Sequence, residues 1–325
     1  MLSAPTCPVC NASEWQTLGT RTWKKSDLPQ LDPVLQRRLR VLYEVWCPGA
    51  DEFTATSELC QECGMVIYSP RPSAEDIDAK YRFLTDLGPD TAVESIESEY
   101  SRIRERALFD CLAPRLPLAT GNRLLDFGGG DGRLMRHFID RGDVGFVIDY
   151  VRETVPGVTR LGDTLEQLGA GEKFTGIISS HVLEHVAEPL QILKQLVSHL
   201  APDGRLFIEL PMEIWKTPPL HPEPVTHVNF FTAESLRYMM MKAGLEVEVC
   251  RTEGITLPGR ADTVIRGVGH LAKTALPLPQ GGAAAVRELL APGVLTKLWW
   301  LSLNPRFLAM AVKSRLRKLW PGSGK

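Results

Sequence analysis

The sequence lacks several features that would place it in a special class of protein. It contains no run of 18 apolar residues, so no segment is expected to span a membrane as a helix. It contains no internal repeat and no low-complexity segment, which excludes solenoids and fibrous proteins. With 44% hydrophobic and 23% charged residues, the composition is that of a soluble globular protein. A chain of 325 residues accommodates one α/β domain of about 170 residues and two smaller attachments.

The chain also lacks a large net charge, but its charges are unevenly distributed. The formal net charge is −2, whereas residues 251–325 contain 12 Lys and Arg against 3 Asp and Glu. Residues 1–250 therefore carry a net charge of −11. A nucleic-acid-binding enzyme is expected to carry its basic face on the catalytic core. The sequence predicts no nucleic-acid partner and a small-molecule or glycan acceptor instead.

Cysteines are few, but four of them form two Cys-x-x-Cys pairs, Cys7 with Cys10 and Cys60 with Cys63. Two thiolates three residues apart on a tight turn can bind one Zn²⁺ at about 2.3 Å, and two such turns complete a tetrahedron. The total of seven cysteines is odd and no secretory signal precedes them, which argues against a disulfide framework. We therefore predict a structural zinc site and a cytoplasmic protein. The 49 intervening residues indicate an insertion in this module.

A glycine-rich turn follows the apolar residues Leu124 and Leu125, in the order Asp126, Phe127, Gly128, Gly129, Gly130, Asp131, Gly132. Such a run is typical of a buried parallel strand whose carboxyl end turns closely over a ligand. A dinucleotide site would need a further glycine where Arg133 or Met135 stands, so the nicotinamide fingerprint is absent.

An acid followed by Gly-x-Gly-x-Gly resembles motif I of the class I S-adenosylmethionine-dependent methyltransferases. The resemblance covers about residues 95–250 and implies a Rossmann-like α/β sheet with helices on both faces. Predicted strands follow in the family's order at 144–148, 158–161, 176–180, 205–210 and 245–249, with a seventh near 262–265. The resemblance implies cofactor-binding roles for the following residues: Asp126, Gly128, Gly130, Gly132, Asp149, Asp163 and Ser180. Asp149, 23 residues beyond Asp126, is placed to accept hydrogen bonds from the ribose hydroxyls.

The amino-terminal cysteine pairs, followed by an apolar strand and Arg71-Pro72-Ser73, resemble the front of methyltransferases that act on sugars and related small metabolites. That group includes deoxysugar C-methyltransferases, which are longer and carry another α/β domain that we expect this chain to lack. Their Tyr-x-Glu-His motif corresponds here to residues 224–227, of which only His227 is retained. The sequence therefore favours O-methylation of a sugar, nucleotide sugar or lipid-linked glycan.

A hydroxyl acceptor needs a base, and His is the natural choice near neutral pH. The candidates are His181 and His185, which follow the fourth predicted strand, and His227, which follows the fifth. Each could instead be a structural histidine. A second hypothesis is that His181, Glu184 and His185 lie on one face of a helix and bind a divalent metal. Quinone O-methyltransferases, which resemble this stretch, use such a trio, so a quinone-like or phenolic acceptor stays open.

We divide the chain into a zinc-binding domain at 1–75, a methyltransferase domain at 76–255 and a basic amphipathic extension at 256–325. Within the extension, residues 294–325 hold seven Lys and Arg, no acid, and Trp299, Trp300 and Trp320. This tail is interpreted either as helices that pack on the core or as an interfacial segment that contacts anionic lipid at a membrane surface. A non-catalytic, cofactor-binding adaptor is the remaining alternative for the whole chain.

Overall fold

The computed structural model describes residues 6–88, 94–257 and 260–303, which form two β-sheets with helices around them. The strands are β1 (Trp15–Lys24), β2 (Glu52–Cys60), β3 (Val66–Ser69), β4 (Arg123–Phe127), β5 (Val144–Ile148), β6 (Val158–Gly162), β7 (Phe174–Ser180), β8 (Leu200–Pro211), β9 (Asn229–Phe230), β10 (Leu245–Leu257) and β11 (Arg260–Leu271). The α-helices are α1 (Pro33–Val41), α2 (Ala74–Asp86), α3 (Glu94–Leu112), α4 (Arg136–Asp140), α5 (Pro189–Ser198), α6 (Ala233–Lys242), α7 (Gly282–Leu290) and α8 (Val294–Leu303).

The larger sheet has seven strands in the order β10-β11-β8-β7-β4-β5-β6. The pairs β4 with β5, β4 with β7, β5 with β6 and β7 with β8 are parallel. Strand β11 runs antiparallel to both of its neighbours. Because the order reverses at β4, the ends of β4 and β7 border the crevice where ligands bind in open α/β sheets.

Both faces of this sheet are covered, as the apolar character of its central strands requires. Leu125 and Ile177 belong to one hydrophobic cluster, which also contains the apolar side of α5. Their chain neighbours Leu124 and Ile178 belong to a second cluster with Leu112 of α3. This alternation confirms the predicted α/β fold with helices on both faces.

The smaller sheet is antiparallel and has the order β1-β2-β3-β9. Its first three strands come from the cysteine-containing amino-terminal region, whereas β9 belongs to the segment after β8. The pairing aligns Val66 with Phe230 and Ile67 with Asn229. Val66, Ile67 and Phe230 share the hydrophobic cluster that lies under α5, so this face has one continuous core.

Local capping signals explain several helix starts. The Ser73 hydroxyl accepts from the Asp76 backbone N–H at 3.2 Å, and the Asp76 carboxylate accepts from the Ser73 N–H at 2.9 Å. Helix α6 begins after the N-cap residue Thr232, whose hydroxyl accepts from the Ser235 N–H. It ends before Gly244, which has a φ of 95°.

Two local predictions need correction. The strand predicted at 205–210 begins earlier, because β8 starts at Leu200 and pairs with β7 there before a register shift. The segment from His181 to Glu188 is not helical, because α5 begins only at Pro189. The helical arrangement on which the predicted metal trio depended is therefore wrong. The tail residues 304–325 lie outside the described part of the chain, and within that part no helix is long and apolar enough to cross a membrane.

Candidate active site

The glycine run forms the wall of a cavity of about 600 Å³ at the carboxyl end of β4. Gly130 has a φ of 60°, and a Cβ added there would meet no atom within 4 Å. This position therefore needs glycine for its backbone angle and leaves the loop open to the cavity. A Cβ on Gly129 would lie 2.2 Å from the Asp126 carboxylate. The other lining residues used below are Arg104, Ser180 and His181.

Asp126 and Asp149 sit on either side of this loop but are held differently. Asp126 is fully buried, and neither carboxylate oxygen has a hydrogen-bond partner among the described residues. Burial raises the pKa of Asp126 to about 7. The Asp149 carboxylate accepts from the backbone N–H groups of Gly130 and Val151, both at 2.9 Å. Asp149 thus ties the end of β5 to the glycine loop.

The two remaining predicted cofactor residues differ in position. Ser180 lines the cavity, accepts from Arg104 at 2.6 Å and donates to Glu209 Oε1 at 3.0 Å. Asp163 is ion-paired with Arg160 and is not among the residues that line the cavity. The structure therefore brings Gly128, Gly130 and Ser180 together at the cavity and bonds Asp149 to the loop, whereas Gly132 and Asp163 are not among the lining residues.

Glu209 of β8 is a buried carboxylate that lies beside Ser180 and binds two arginine side chains. Its two oxygens accept from the Nε atoms of Arg104 and Arg266, both at 2.8 Å. Burial alone would raise the pKa of Glu209, but these guanidinium groups hold it below its ordinary value. Glu209 stays ionised and fixes the Arg104 side chain at the cavity wall.

His181 stands between the cavity and a second group of polar side chains. Its Nδ1 lies 3.2 Å from Glu184 Oε1, and its Nε2 lies 3.6 Å from Glu209 Oε1. Its backbone N–H donates to the Glu209 carbonyl at 2.9 Å, and its φ is 57°. A positive φ in a non-glycine residue directly after a strand is uncommon and aims the imidazole into this junction.

His185 is held in one tautomer. Its Nδ1 lies 2.7 Å from the Thr226 carbonyl, which can only accept, so Nδ1 carries the proton and Nε2 carries a lone pair. Nε2 lies 3.7 Å from Oε1 of the fully buried Glu184. Burial lowers the pKa of His185 to about 4, so the ring is neutral near pH 7. Burial opposes ionisation of Glu184, but the nearby histidines lower its pKa to about 2.

His227 forms a dyad with Glu213, a residue just past the end of β8. Its Nδ1 lies 2.9 and 2.8 Å from the two carboxylate oxygens. Burial would lower the pKa of His227, but the bond to Glu213 outweighs it and raises the pKa. The ring packs edge-on against His185, with 4.8 Å between centroids. With Nδ1 donating to Glu213, the Nε2 lone pair of His227 is the basic position.

The structure groups Glu184, His185 and His227 as a possible ligand set, with one atom of each lying within 4.8 Å of the others. Two imidazoles and one carboxylate suit several divalent transition metals. Each ligand histidine also has the outer partner that such sites use, the Thr226 carbonyl for His185 and Glu213 for His227. The predicted trio had His181 in place of His227.

The four paired cysteines meet in a second ligand set at the end of the smaller sheet. The Sγ atoms of Cys7 and Cys63 lie 3.6 Å apart, and those of Cys10 and Cys60 lie 3.4 Å apart. A tetrahedral Zn²⁺ with Zn–S bonds of about 2.3 Å would separate its sulfurs by about 3.8 Å. The donor set therefore fits zinc closely.

Three site residues were missed in the sequence, Arg104, Glu209 and Glu213. Glu209 had a signal, because a charged residue inside the apolar run of a central strand must have a buried partner. Glu213 follows a strand end, where functional side chains gather. Arg104 is one of several charged residues on α3, so nothing in the sequence distinguishes it from its neighbours.

Comparison with known proteins agrees with the fold. A family model described as a methyltransferase domain matches residues 100–249. A search of curated proteins finds no match. One similar structure is the 1,6-didemethyltoxoflavin-N1-methyltransferase of Burkholderia thailandensis, solved with 1,6-didemethyltoxoflavin and S-adenosylhomocysteine. It is 16% identical, with a TM-score of 0.51, and the match covers 64% of this chain and 96% of that one. Magnesium protoporphyrin IX methyltransferase of Synechocystis, solved with S-adenosylhomocysteine, is similar at 17% identity and a TM-score of 0.43, covering 55% of this chain and 88% of that one.

At these identities the solved structures show the fold alone. The family match identifies a methyltransferase domain at residues 100–249, and the sheet order is that of the Rossmann-like methyltransferase fold. Because the family match spans 150 of the 325 residues, it describes this domain and not the whole chain.

Proposed function

We propose that this protein is an S-adenosylmethionine-dependent O-methyltransferase that modifies a hydroxyl of a sugar, nucleotide sugar or lipid-linked glycan. The observation that carries the proposal is the Glu213–His227 dyad, which supplies an oriented base beside the predicted cofactor edge of the sheet. The cofactor, when bound, supplies an electrophilic methyl carbon. The protein's part is then to align the acceptor and remove its proton.

His227 suits the role of general base better than His185. A sugar hydroxyl is a poor acid, so the base must be stabilised as it gains the proton. Glu213 provides that stabilisation at Nδ1, in the arrangement that carboxylate–histidine pairs use elsewhere. The pKa of His185 is lowered to about 4, which makes it a weak proton acceptor. His181 lines the cavity and would orient the acceptor hydroxyl.

The cofactor side of the proposal follows the cavity wall. We place the cofactor along Gly128, Gly130 and Gly132, with Asp149 on the ribose hydroxyls. The Asp126 carboxylate is fully buried under the loop and has no hydrogen-bond partner among the described residues, which supports a polar ligand there. A cavity of about 600 Å³ falls in the range of small-molecule sites.

The polar side chains around His181 and His227 support the proposed class of acceptor. His181 and His227 have side chains that are 22% and 23% exposed, and their ring nitrogens would pair with neighbouring hydroxyls of a polyol. The resemblance of the amino-terminal module to that of sugar methyltransferases supports the same class. Loss of the Tyr-x-Glu-His motif, of which only His227 is retained, favours oxygen over carbon as the methylated atom.

We also propose a structural zinc ion bound by Cys7, Cys10, Cys60 and Cys63. The sulfur separations support a tetrahedral ion with all four positions filled by protein. Such an ion would order the turn that precedes β1 and the turn that joins β2 to β3. The three amino-terminal strands form a unit too small to depend on its own core.

A second candidate is metal-assisted methylation of a phenolic or quinone-like acceptor. The observation that favours it is the ligand set formed by Glu184, His185 and His227. A divalent ion there would lower the pKa of a bound hydroxyl. In that case His227 binds metal and cannot also serve as the base.

The test separates these candidates by substitution and chelation. His227→Ala should lower turnover at least 10²-fold on the true acceptor while leaving cofactor affinity, measured by calorimetry, nearly unchanged. His181→Ala should raise KM more than it lowers kcat. The acceptor panel contains nucleotide sugars and catechols. Loss of activity on EDTA treatment, restored by Mg²⁺ or Mn²⁺ with a catechol acceptor, would replace the first proposal by the second.

A further inference from the structure

The amino-terminal module contacts the segments that carry His185 and His227, which are called the acceptor end of the site below. Strand β9 begins two residues after His227 and pairs with β3, which begins three residues after Cys63. Tyr68 of β3 packs edge-on against Phe230 of β9, with ring centroids 4.9 Å apart. The segment that carries His227 is therefore held in register by the sheet of the cysteine-containing module.

Arg71, just after β3, extends this connection to the second histidine. Its guanidinium donates to the Val228 carbonyl and the Val186 carbonyl, both at 3.2 Å, and to the Asn229 side-chain oxygen at 2.7 Å. It also donates to the Ala187 carbonyl. Val186 directly follows His185, and Val228 directly follows His227. One guanidinium thus binds the chain immediately after each of the two histidines.

Asn229 completes the connection between the two segments. Its side-chain NH₂ donates to the carbonyls of Leu183 and Val186, at 2.8 and 2.7 Å. The backbone N–H groups of Val228 and Asn229 both donate to the Glu184 carbonyl, at 2.9 and 3.1 Å. The separation between the His185 and His227 rings is set by these bonds, because each backbone group lies within two residues of a ring.

The groups that accept hydrogen bonds from Arg71 are neutral, so Arg71 forms no ion pair with them and acts by fixing their positions. Three are backbone carbonyls and one is an amide oxygen, and they belong to two separate segments. A planar fork with several donors can serve such a set, whereas a single ammonium cannot span it. Burial lowers the pKa of Arg71 to about 10, which still leaves it charged near neutral pH.

We propose that Arg71 is a positioning residue that fixes His185 and His227 relative to each other and thereby couples the cysteine-containing module to the acceptor end of the site. The proposal rests on the proposed function only for its effect on turnover. Its structural part, the fixed pair of histidines, can be measured without any acceptor.

The experiment compares Arg71→Met and Arg71→Lys with the control Arg38→Met. Arg38 also joins the amino-terminal region to the segment before His227, through Glu223 at 3.3 Å, but it touches neither chain segment that Arg71 binds. Nitrogen-15 NMR of labelled histidines reports the tautomers of His185 and His227. Calorimetry reports cofactor affinity, and initial rates on the best acceptor of the panel report kcat and KM.

In Arg71→Met we expect the Nδ1-protonated signals of both histidines to shift or average, kcat to fall roughly 10- to 100-fold, and cofactor affinity to stay within about twofold. The kcat of Arg71→Lys should also fall. Because this variant keeps the positive charge, it provides the test if Arg71→Met does not fold. Arg38→Met should match the wild type.

Unchanged histidine signals in a folded Arg71 variant would overturn the inference, and so would equal losses in the Arg38→Met control. If the signals shift in the Arg71 variants while wild-type protein methylates no hydroxyl acceptor, the positioning role is supported and the proposed acceptor class fails.

Discussion

Replacing Glu213 by Gln tests the proposed base without changing the size of the side chain. Glu213 accepts from His227 Nδ1 at 2.8 Å, and this bond raises the pKa of His227 against the effect of burial. An amide cannot stabilise the imidazolium in the same way. The pKa of His227 should therefore fall in the variant, and the acid limb of the pH–rate profile should move to lower pH.

The size of the rate effect follows from the strength of that one bond. A hydrogen bond to a charged group contributes about 1.5–3 kcal/mol. Because about 1.4 kcal/mol corresponds to a factor of ten, kcat on the alkaline side should fall roughly 10- to 150-fold. The raised pKa of His227 also makes folding stability depend on pH. A raised pKa in the folded state stabilises the protein at pH below the unfolded value, and this contribution is lost as pH rises through the folded pKa.

The assay is an NMR titration of the His227 ring, with initial rates over the same pH range. His221→Asn is the matched control, because His221 Nε2 lies 3.6 Å from the same carboxylate but does not make the short bond. We expect the control to keep the wild-type midpoint within experimental error. A His227 midpoint that does not move in Glu213→Gln would refute the assignment of Glu213 as the partner of the base.

Three further predictions concern the cofactor, the zinc ion and the tail. Asp149→Ala should fold but bind S-adenosylmethionine at least a hundredfold more weakly, since about 1.5–3 kcal/mol is lost for each of two ribose hydrogen bonds; equal affinity by calorimetry would contradict the assignment. Metal analysis should find one zinc per chain, and chelation should loosen the amino-terminal module before the methyltransferase domain; no zinc together with four missing thiols would indicate disulfides. Deleting residues 294–325 should abolish a salt-sensitive interaction with anionic vesicles, whereas aggregation of the truncated protein would assign the tail to the fold.

Local sequence patterns predicted most of the methyltransferase sheet. Strands β4, β5 and β6 each combine apolar residues with a glycine or an acid at the carboxyl end, so their existence and order could be predicted from periodicity and resemblance. Even the weakly marked strand near 262–265 is confirmed, as part of β11. The cysteine spacing likewise predicted that Cys7, Cys10, Cys60 and Cys63 would meet.

The prediction failed where the structure depends on contacts between distant segments. Residues 181–188 have a spacing of polar groups that suits a helix, but hydrogen bonds from Val228 and Asn229 to the Glu184 carbonyl hold the chain in a non-helical turn. No periodicity in residues 181–188 could reveal partners more than 40 residues away. For the same reason the predicted trio omitted His227, although the predicted proximity of His181 and Glu184 is confirmed at 3.2 Å.

These cross-segment bonds also explain why the amino-terminal module and the methyltransferase domain cannot be treated as independent parts. Strand β9 has only two residues, which is too short to be stable without neighbours. It gains its hydrogen bonds from β3 and its packing from Tyr68. His227 lies two residues before this strand, so the position of the proposed base depends on a sheet whose other three strands precede residue 70. A change that loosens the cysteine cluster should therefore reduce acceptor turnover before it reduces cofactor affinity, because Asp149 and the glycine loop belong to the other sheet.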